Sequence, residues 1–572
     1  MIPAMSIRFR QRFLLAASVL LLQTQLAAGC QRGPRPSSTA AKPESALVVR
    51  LSYGSEKKAF LTDAIEAFHR SGAKAPDGRP IRIDAVAEGS AESMEEILAG
   101  RSTAAVWSPA SSLLVDVLND RWMEAHGGLG TARPIVGEAT PLVLSPVVIA
   151  IWEPMARALG WPDRAIGWAD IAQFAASGDD WARRRHPEWG AFKFGHTHPR
   201  YSNSGAIALV AATYAGSGKT RDMDAADVAR ALPFVKRVQA NVVHYGRSTG
   251  FFAEKMFTRG PAYLSAAVLY ENLVVESALN PAYKDRAFPV VAIYPKEGTF
   301  WADHPYAILD LPSVTPEVRR AAEAFRSFLL APDRQRGALQ RFGFRPADAQ
   351  IALGAPLDVA HGVDPSQPKN VLPNPKVSLT RQILDGFETV KRPVSITFVI
   401  DTSGSMKGEA LSQAKAGARV FLEGLPDGDA VRVLLFSGAP HWLSERPEPV
   451  GTSRKTLAAG IDATFADGGT ALYDAIREAC RAVPGEPRGA ARAVIVLTDG
   501  EDTDSKTKLA ELLGELTNAE SSVVRPRVFT IAYGAKTDVS VLQRIAEAGG
   551  GAFFSGTPKD IRAVYAELAT FF

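Results

Sequence analysis

An α/β fold made of two modules is predicted by three observations. The chain has 572 residues, which is too long for one hydrophobic core. Strand-like apolar runs alternate with helix-like periodicity along most of its length, which favours mostly parallel sheets covered by helices. A Pro- and Gly-rich stretch without periodicity, residues 347–377, interrupts the alternation and predicts the boundary between the modules.

Composition and charge count against a nucleic-acid-binding protein and against a fold held together by disulfides. Hydrophobic residues make up 46% and charged residues 22% of the chain, as in ordinary globular proteins. The net charge is +4, and Arg8, Arg10 and Arg12 carry most of it. The remainder is nearly neutral, so we expect no nucleic-acid partner. The two cysteines, Cys30 and Cys480, exclude a disulfide framework.

Residues 1–29 predict a secretion signal. Three arginines precede residues 13–22, an apolar run that is too short to span a bilayer. Residues 26–30, LAAGC, resemble the lipobox of bacterial lipoproteins, with Ala27 where leucine is commonest. The resemblance implies cleavage before Cys30 and lipid attachment to it, and the alternative is an ordinary signal with a chance cysteine. Residues 30–45 are expected to be a flexible tether.

Residues 46–346 form the first predicted module. Its strand-like segments are each followed by a glycine or a hydroxyl residue that can cap the next helix, as in IRIDAVAEGS at 81–90 and PLVLSPVVIAIW at 141–152. In such sheets ligands bind beyond the carboxyl ends of the strands. The sequence therefore predicts a binding site at those strand ends.

Separated motifs of this module carry a family resemblance. They are YGSEKKAFL (53–61), LSPVVIAI (144–151), FKFGHTHPRYSNSG (192–205), YENLV (270–274), AIYPKEGTFWADHPYAIL (292–309) and RFGFRPA (341–347). They resemble extracellular solute-binding proteins of ABC importers, of the two-lobed, periplasmic-binding-protein-like type II with two crossing strands. The resemblance implies a cleft lined by Ser55, Ser108, Ser145, Ser204 and Glu271.

The kind of solute stays open. Each of the four serines has an alternative role as a helix cap. Glu56 directly follows Ser55, so a small anion is not favoured over a neutral or cationic polar solute.

Two further patterns in this module do not predict a site. GSGKT, residues 216–220, is similar to a phosphate-binding loop, but Thr213 stands where that loop needs glycine, so no nucleotide is expected. His196 and His198 have no third ligand nearby in the sequence, which favours ordinary histidines over a zinc site.

Residues 347–392 are predicted to connect the modules. The proline content of residues 347–377 indicates a semi-rigid linker. LTRQILDGFETVKR, residues 379–392, predicts a short amphipathic helix that leads into the second module.

Residues 393–572 form the second predicted module, a doubly wound parallel sheet. Its predicted strands are SITFVI (395–400), AVRVLLF (430–436), AVIVLTDG (493–500), RVFTIAYG (527–534) and AFFSG (552–556). Its predicted helices are residues 409–425, 470–483, 508–519, 539–549 and 560–572.

Oxygen-bearing side chains follow three segments of this sheet. Asp401, Ser403 and Ser405 come directly after the first strand, Thr470 begins a helix, and Asp499 ends another strand. The carboxyl ends of parallel strands meet at one edge, so we expect these oxygens to converge. Hard divalent cations prefer oxygen ligands. Two carboxylates and three hydroxyls predict a magnesium site with one open coordination position.

The order D-x-S-x-S, Gly-Gly-Thr and Thr-Asp-Gly resembles the metal-ion-dependent adhesion site of von Willebrand factor type A (VWA) domains. The resemblance implies that Ser403, Ser405 and Thr470 contact Mg²⁺, or Mn²⁺ or Ca²⁺, while Asp401 and Asp499 act directly or through water. It also implies a protein partner that offers an acidic residue to the open position. The alternatives are turn and cap chemistry, or a metal-competent fold that has lost its partner.

Three functions are compatible with these features. The favoured one is a non-enzymatic, lipid-anchored protein of the bacterial cell envelope, on the periplasmic or outer-surface side. Its VWA domain would bind a protein partner, and its first module would sense or present something. The second is the receptor of an ABC importer for a small polar solute. The third is a metal-dependent hydrolase, for which no general base is apparent.

Overall fold

The computed structural model describes residues 46–127, 130–174, 181–481, 490–517, 526–533 and 537–556, with Val564, Leu568 and Phe571. The predicted signal, the tether and Cys30 lie outside the described residues. The described residues belong to one compact unit. No helix within these ranges has the length and apolar character needed to cross a membrane.

The strands and helices alternate along the chain. The strands are β1 (Leu47–Gly54), β2 (Ile81–Glu88), β3 (Val106–Ser108), β4 (Val136–Pro141), β5 (Val143–Trp152), β6 (Phe194–Thr197), β7 (Val242–Gly246), β8 (Ala266–Tyr270), β9 (Val290–Ile293), β10 (Trp301–Ala302), β11 (Pro305–Leu309), β12 (Arg345–Pro346), β13 (Val394–Asp401), β14 (Ala430–Phe436), β15 (Pro440–Pro449), β16 (Ala491–Thr498), β17 (Arg527–Tyr533) and β18 (Gly550–Gly556).

The helices are α1 (Lys58–Arg70), α2 (Ser90–Leu98), α3 (Ser112–Ala125), α4 (Glu153–Ala158), α5 (Trp168–Phe174), α6 (Asn203–Ser217), α7 (Ala225–Ala240), α8 (Thr249–Arg259), α9 (Glu271–Leu279), α10 (Pro316–Leu329), α11 (Pro332–Phe342), α12 (Val377–Asp385), α13 (Phe387–Val390), α14 (Glu409–Gly424), α15 (Val450–Asp462), α16 (Leu472–Ala479), α17 (Leu509–Thr517) and α18 (Val539–Ala548).

The first module contains two sheets, each the centre of one lobe. The first-lobe sheet has the order β2-β1-β3-β11-β4, in which β1 is parallel to β2 and β3 while β11 is antiparallel to β3 and β4. The second-lobe sheet has the order β10-β5-β8-β6-β7, with β9 and β12 also paired to β5. The chain passes between the lobes from β4 to β5 and from β10 to β11. This is the two-lobed architecture with two crossings that the resemblance implied.

The third sheet forms the centre of the second module. Its order is β15-β14-β13-β16-β17-β18, and every neighbouring pair is parallel except β14 with β15. All eight residues of β13 are buried. Successive side chains of a strand point to opposite faces, and Phe398 and Val399 accordingly belong to different hydrophobic clusters. Helices cover both faces, as the continuous apolar strands predicted.

Four elements of the connector and the second module differ from the sequence predictions. Helix α15 (Val450–Asp462) was not predicted. The edge strand β15 was not predicted, because its sequence, PHWLSERPEP, is rich in proline and charge. The predicted helix 379–392 is two helices, α12 and α13, interrupted at Gly386. The predicted helix 470–483 begins only at Leu472 and ends at Ala479. Most of the predicted helix 560–572 lies outside the described residues.

The connector packs against the first module. Thr299 forms a parallel bridge with Val371, and the Leu372 N–H donates to the Thr299 carbonyl at 2.8 Å. Leu372 is buried in the core cluster of the second lobe. The proline-rich segment therefore runs along the surface of this lobe with fixed contacts.

Candidate functional site

Strands β13 and β16 are parallel neighbours that end at the same edge of the third sheet. Ile400 pairs with Leu497 in their ladder. Asp401, the last residue of β13, therefore lies beside Thr498, the last residue of β16. Asp499 follows Thr498 directly. Both predicted carboxylates thus stand on adjacent strand ends.

A continuous chain of hydrogen bonds joins four of the five predicted metal-binding residues. Asp401 accepts from the Ser403 N–H at 2.8 Å and from the Thr498 hydroxyl at 2.5 Å, through different carboxylate oxygens. The Ser403 and Ser405 hydroxyl oxygens are 3.0 Å apart. The Ser405 hydroxyl donates to Asp499 at 2.7 Å. Asp401 and Ser403 are buried, whereas Ser405 is exposed, so the chain of oxygens leads from the core to solvent.

Thr470, the fifth predicted residue, reaches the same place from another loop. The Gly404 N–H donates to the Gly468 carbonyl at 2.9 Å, which attaches the Thr470 loop to the Ser405 loop. A Cβ atom added to Gly500 would lie 3.4 Å from the Ser405 hydroxyl oxygen and 3.5 Å from that of Thr470. Gly500 therefore borders a small space between these two hydroxyls.

Two residues that support this edge were not predicted from the sequence. The Thr498 hydroxyl donates to one carboxylate oxygen of Asp401. In the sequence, this role is indicated by a hydroxyl residue directly before Asp499. Thr503 fixes Thr470, because the Thr470 N–H donates to the Thr503 hydroxyl at 2.9 Å and the Thr503 N–H donates to the Thr470 carbonyl at 2.8 Å. Nothing in the sequence pattern distinguishes Thr503 from an ordinary loop threonine.

The electrostatics of this edge are compatible with a cation. Burial raises the pKa of Asp401, the hydrogen bonds from Ser403 and Thr498 oppose the rise, and the nearby charge of Asp499 adds to it. A divalent cation would relieve this repulsion. Within the described ranges no cluster of three or more His, Cys, Asp or Glu residues has metal-binding geometry. The fit therefore depends on hydroxyl oxygens together with two carboxylates, a donor set that suits Mg²⁺.

The five predicted solute-binding side chains are buried in the first module. Ser145 lies 3.1 Å from the Asn272 Oδ1 atom, and Ser204 lies 2.9 Å from the Thr249 hydroxyl. Ser55 contacts the Ser248 hydroxyl and accepts from the Gly250 N–H at 2.9 Å. Among the described residues the Ser108 hydroxyl has no hydrogen-bond partner. The relative exposures are 4% for Ser55 and 0% for Ser108, Ser145, Ser204 and Glu271.

Glu271 is held by residues of its own module. Its two carboxylate oxygens each accept a hydrogen bond from Arg345 at 2.7 Å, and one accepts a further bond from the Tyr294 hydroxyl. Arg345 belongs to the RFGFRPA motif, which packs as β12 against β5. The charge of Glu271 is thus neutralised inside the protein.

Glu56 and Lys57 form a buried ion pair in the first lobe, where the Asn272 side chain of the second lobe donates to the Glu56 carbonyl at 3.3 Å. The Lys57 ammonium lies 2.7 Å from Glu56, donates to the Pro109 carbonyl at 3.2 Å and lies 3.3 Å from His304 Nδ1. Lys57 and His304 have no exposed surface. Burial favours the neutral acid, but the charge of Lys57 and the hydrogen bond from His304 outweigh it and lower the pKa of Glu56 to about 2. The carboxylate that counted against a small anion therefore already has a cationic partner, Lys57.

The lobes also meet directly through their backbones. The N–H groups of Ala91 and Glu92, at the start of α2 in the first lobe, donate to the Tyr201 carbonyl of the second lobe at 3.1 and 3.0 Å. A Cβ atom on Gly89 would lie 2.2 Å from that carbonyl oxygen, and one on Gly250 would lie 2.5 Å from the Ser55 carbonyl oxygen. The groups that bind ligands in open clefts, a helix N-terminus and strand-end hydroxyls, here bind the opposite lobe.

The sequence patterns that were set aside have structural roles. GSGKT closes α6 instead of opening a helix, with Gly218 in the left-handed conformation at the helix end. His196 is fully buried between the Thr197 carbonyl and Gln239, and His198 accepts from the Arg200 N–H.

Two family models match the chain. The model for bacterial extracellular solute-binding proteins matches residues 49–345, more than half of the chain. The chain belongs to this family. The model for the von Willebrand factor type A domain matches residues 394–553, which identifies the second module as a VWA domain. The families found are binding proteins.

Similar proteins match one module at a time. The human inter-alpha-trypsin inhibitor heavy chain H4 is 30% identical over 180 residues, which are 29% of this chain and 18% of that protein. An uncharacterized Synechocystis protein, sll0103, is 24% identical over 159 residues, 28% of this chain and 36% of its own. The chain thus spans less than half the length of these relatives.

Similar solved structures also match one module at a time. A periplasmic thiamin binding protein is 13% identical with a TM-score of 0.43 and covers 62% of this chain and 98% of its own. A von Willebrand factor type A protein from Catenulispora acidiphila is 22% identical with a TM-score of 0.29 and covers 32% of this chain and 42% of its own.

Proposed function

We propose that this protein is a lipid-anchored binding protein of the bacterial cell envelope whose VWA domain holds a partner protein through a divalent cation. The observation that carries the proposal is the hydrogen-bonded series from buried Asp401 to exposed Ser405 and Asp499. It gathers oxygens at one sheet edge and brings them to the surface, where a partner carboxylate can reach a bound cation. The extracellular family of the first module supports the envelope location.

Each residue of the edge has a distinct part in this function. The hydroxyls of Ser403, Ser405 and Thr470 would contact the cation, and Asp401 and Asp499 would supply charge directly or through water. Mg²⁺, Mn²⁺ or Ca²⁺ would supply a Lewis-acid position for the partner's carboxylate. Thr498 and the Ser403 N–H orient Asp401 so that its charge faces the edge.

The first module would then serve to present the VWA domain. Its lobes are joined by backbone contacts and by the Asn272 side chain of the second lobe, which donates to the Glu56 carbonyl, and such contacts suit a rigid support. Lipid attached at Cys30, followed by the tether to residue 45, would hold this support at a membrane surface. We propose residues 347–392 as the connector and residues 393–572 as the extent of the VWA domain.

Metal binding tests the proposal directly. A cation at 100 times its dissociation constant stabilises a folded protein by about 2.7 kcal/mol, so MgCl₂ or MnCl₂ should raise the unfolding temperature of the full chain. We expect Asp401→Ala and Ser403→Ala to abolish the rise. The matched control is Asp467→Ala, because Asp467 is an exposed acid of the neighbouring loop. A rise that persists in both edge variants would place the cation elsewhere.

Partner capture is the second part of the same experiment. Envelope proteins should bind the immobilised chain in Mg²⁺ and leave in EDTA, and the Asp401→Ala chain should capture none of them. Capture that is unaffected by EDTA would contradict the proposed mode of binding.

A receptor of an ABC importer is the second candidate, favoured by the family of the first module. That role requires the lobes to separate and to exchange the Tyr201 and Ser55 contacts for contacts with a polar solute. Calorimetric binding of a solute that survives Asp401→Ala would favour this candidate over the first.

A further inference from the structure

A cavity of about 730 Å³ lies between the second lobe and the VWA domain. This volume is in the range of small-molecule sites, about 300–1,000 Å³. Neither the metal edge nor the contact between the lobes uses this space. Both modules contribute to its walls, Lys193, Arg259 and Tyr263 from the second lobe and Arg527 and Phe571 from the C-terminal part.

The cations of this cavity are positioned without being neutralised. Arg527 donates to the carbonyls of Val243 and Phe571, and Lys193 donates to the carbonyl of Ala262. Arg259 lies over the Tyr263 ring at 5.3 Å. Within the described part of the chain, no carboxylate forms an ion pair with Lys193, Arg259 or Arg527. Backbone carbonyls and an aromatic ring fix these groups, and no carboxylate of the described residues compensates their charges.

The three charges act on each other and on their surroundings. Burial lowers the pKa of Lys193, and the charge of Arg527 lowers it further. Burial also lowers the pKa of His244, and Lys255, Arg527 and Arg259 add to that effect. Partly buried like charges are costly unless an opposite charge joins them. One lining carboxylate, exposed Glu547, is too little to balance them.

The walls also offer an apolar surface. The His244 and Phe571 rings are stacked with centroids 3.6 Å apart, and Tyr263 and Phe553 line the same space. A ligand with an apolar body and several negative charges matches this combination of rings and cations.

We infer that this cavity binds a small, multiply charged organic anion, a phosphate ester or a polycarboxylate, and that the anion joins the two modules. Lys193 and Arg259 bind it from the first module and Arg527 from the VWA domain. Bound anion replaces the missing counter-charge, so it fixes the orientation of the metal edge relative to the membrane-anchored module.

Calorimetry with citrate and with pyrophosphate tests this inference on the full chain. The chain is dialysed beforehand against EDTA and then against metal-free buffer without chelator, so that the metal edge takes no part, and sodium chloride keeps the ionic strength constant. We expect one saturable site per chain. The double variant Lys193→Gln with Arg259→Gln should weaken binding at least about tenfold, because hydrogen bonds to charged groups are lost.

Two variants distinguish a specific site from general attraction. Arg50→Gln with Lys236→Gln removes the same charges from exposed positions outside the cavity, and it should bind like the parent. Glu547→Gln removes the lining carboxylate and should strengthen binding, a gain that misfolding cannot produce. Absence of binding to the parent chain, equal losses in both double variants, or weaker binding by Glu547→Gln would each overturn the inference.

Discussion

The cleft of the first module and the edge of the VWA domain contain the same types of polar residue, but these residues have different partners. In both, hydroxyls and carboxylates follow the ends of parallel strands. In the cleft, Glu56 is paired with Lys57 and Glu271 with Arg345, and all four residues are buried. At the edge, the carboxylates accept from different hydroxyls, Asp401 from Thr498 and Asp499 from Ser405, and Ser405 reaches solvent. Polar residues at strand ends thus support the interior in the cleft, whereas at the edge they form a series of oxygens that leads to the surface.

The largest expected effect on the free energy of unfolding comes from replacing Lys57, the positively charged side chain buried at the cleft. Lys57→Met leaves the Glu56 carboxylate buried without its ammonium partner, which costs about 3–5 kcal/mol of the free energy of unfolding. Urea denaturation followed by tryptophan fluorescence measures the loss.

Two variants control this experiment. Lys58→Met changes the adjacent, exposed lysine and should cost much less. Lys57→Met with Glu56→Gln should recover most of the loss, because replacing a whole buried pair is often nearly neutral. If the single and double variants are equally unstable, the pair does not hold the cleft.

Acid should lower the free energy of unfolding by a somewhat smaller amount. The pKa of Glu56 is about 2 in the folded protein against an ordinary value of 4.5, so its stabilising effect is present above the unfolded value and is lost as the pH falls from about 4.5 to about 2. This pKa shift corresponds to a stabilising free energy on the order of 3 kcal/mol.

The difference in unfolding free energy between the parent chain and the double variant isolates Glu56 from other carboxylates. The parent chain should therefore lose stability relative to the double variant as the pH falls across this window. A difference that stays constant with pH would mean that Glu56 does not titrate in this way.

The smallest effect on stability is expected at the metal edge. Ser405 is exposed, so Ser405→Ala should change the free energy of unfolding without metal by no more than about 0.5 kcal/mol. The same change should weaken Mg²⁺ binding at least about tenfold. Ser412→Ala, on the exposed face of α14, should alter neither quantity. A Ser405→Ala chain that binds Mg²⁺ normally would remove the contrast between the two regions.

The sequence predicts the folds better than it predicts which polar groups are satisfied. Continuous apolar runs fixed the position of β13, β14, β16 and β17, because buried parallel strands have a distinctive pattern. The exposed strand β15 has no such pattern and was missed. The family matches agree with both predicted modules.

Whether a site residue could be predicted depended on how close its partners lie in the sequence. Asp401, Ser403, Ser405, Thr470 and Asp499 were predicted because their spacing within each loop encodes their convergence, and their role as metal ligands stays a prediction. The partners of the predicted cleft residues were not predicted, because Ser55–Ser248 and Glu271–Arg345 join residues far apart in the sequence. Only the folded chain brings such pairs together.

Lys57 gives the buried turn after β1 its own positive charge. The side chain is covalently part of this turn, so the effective concentration of the charge beside Glu56 is high and independent of the medium. Changes in the salt or solute content of the surroundings therefore leave the charge balance of the turn unaltered.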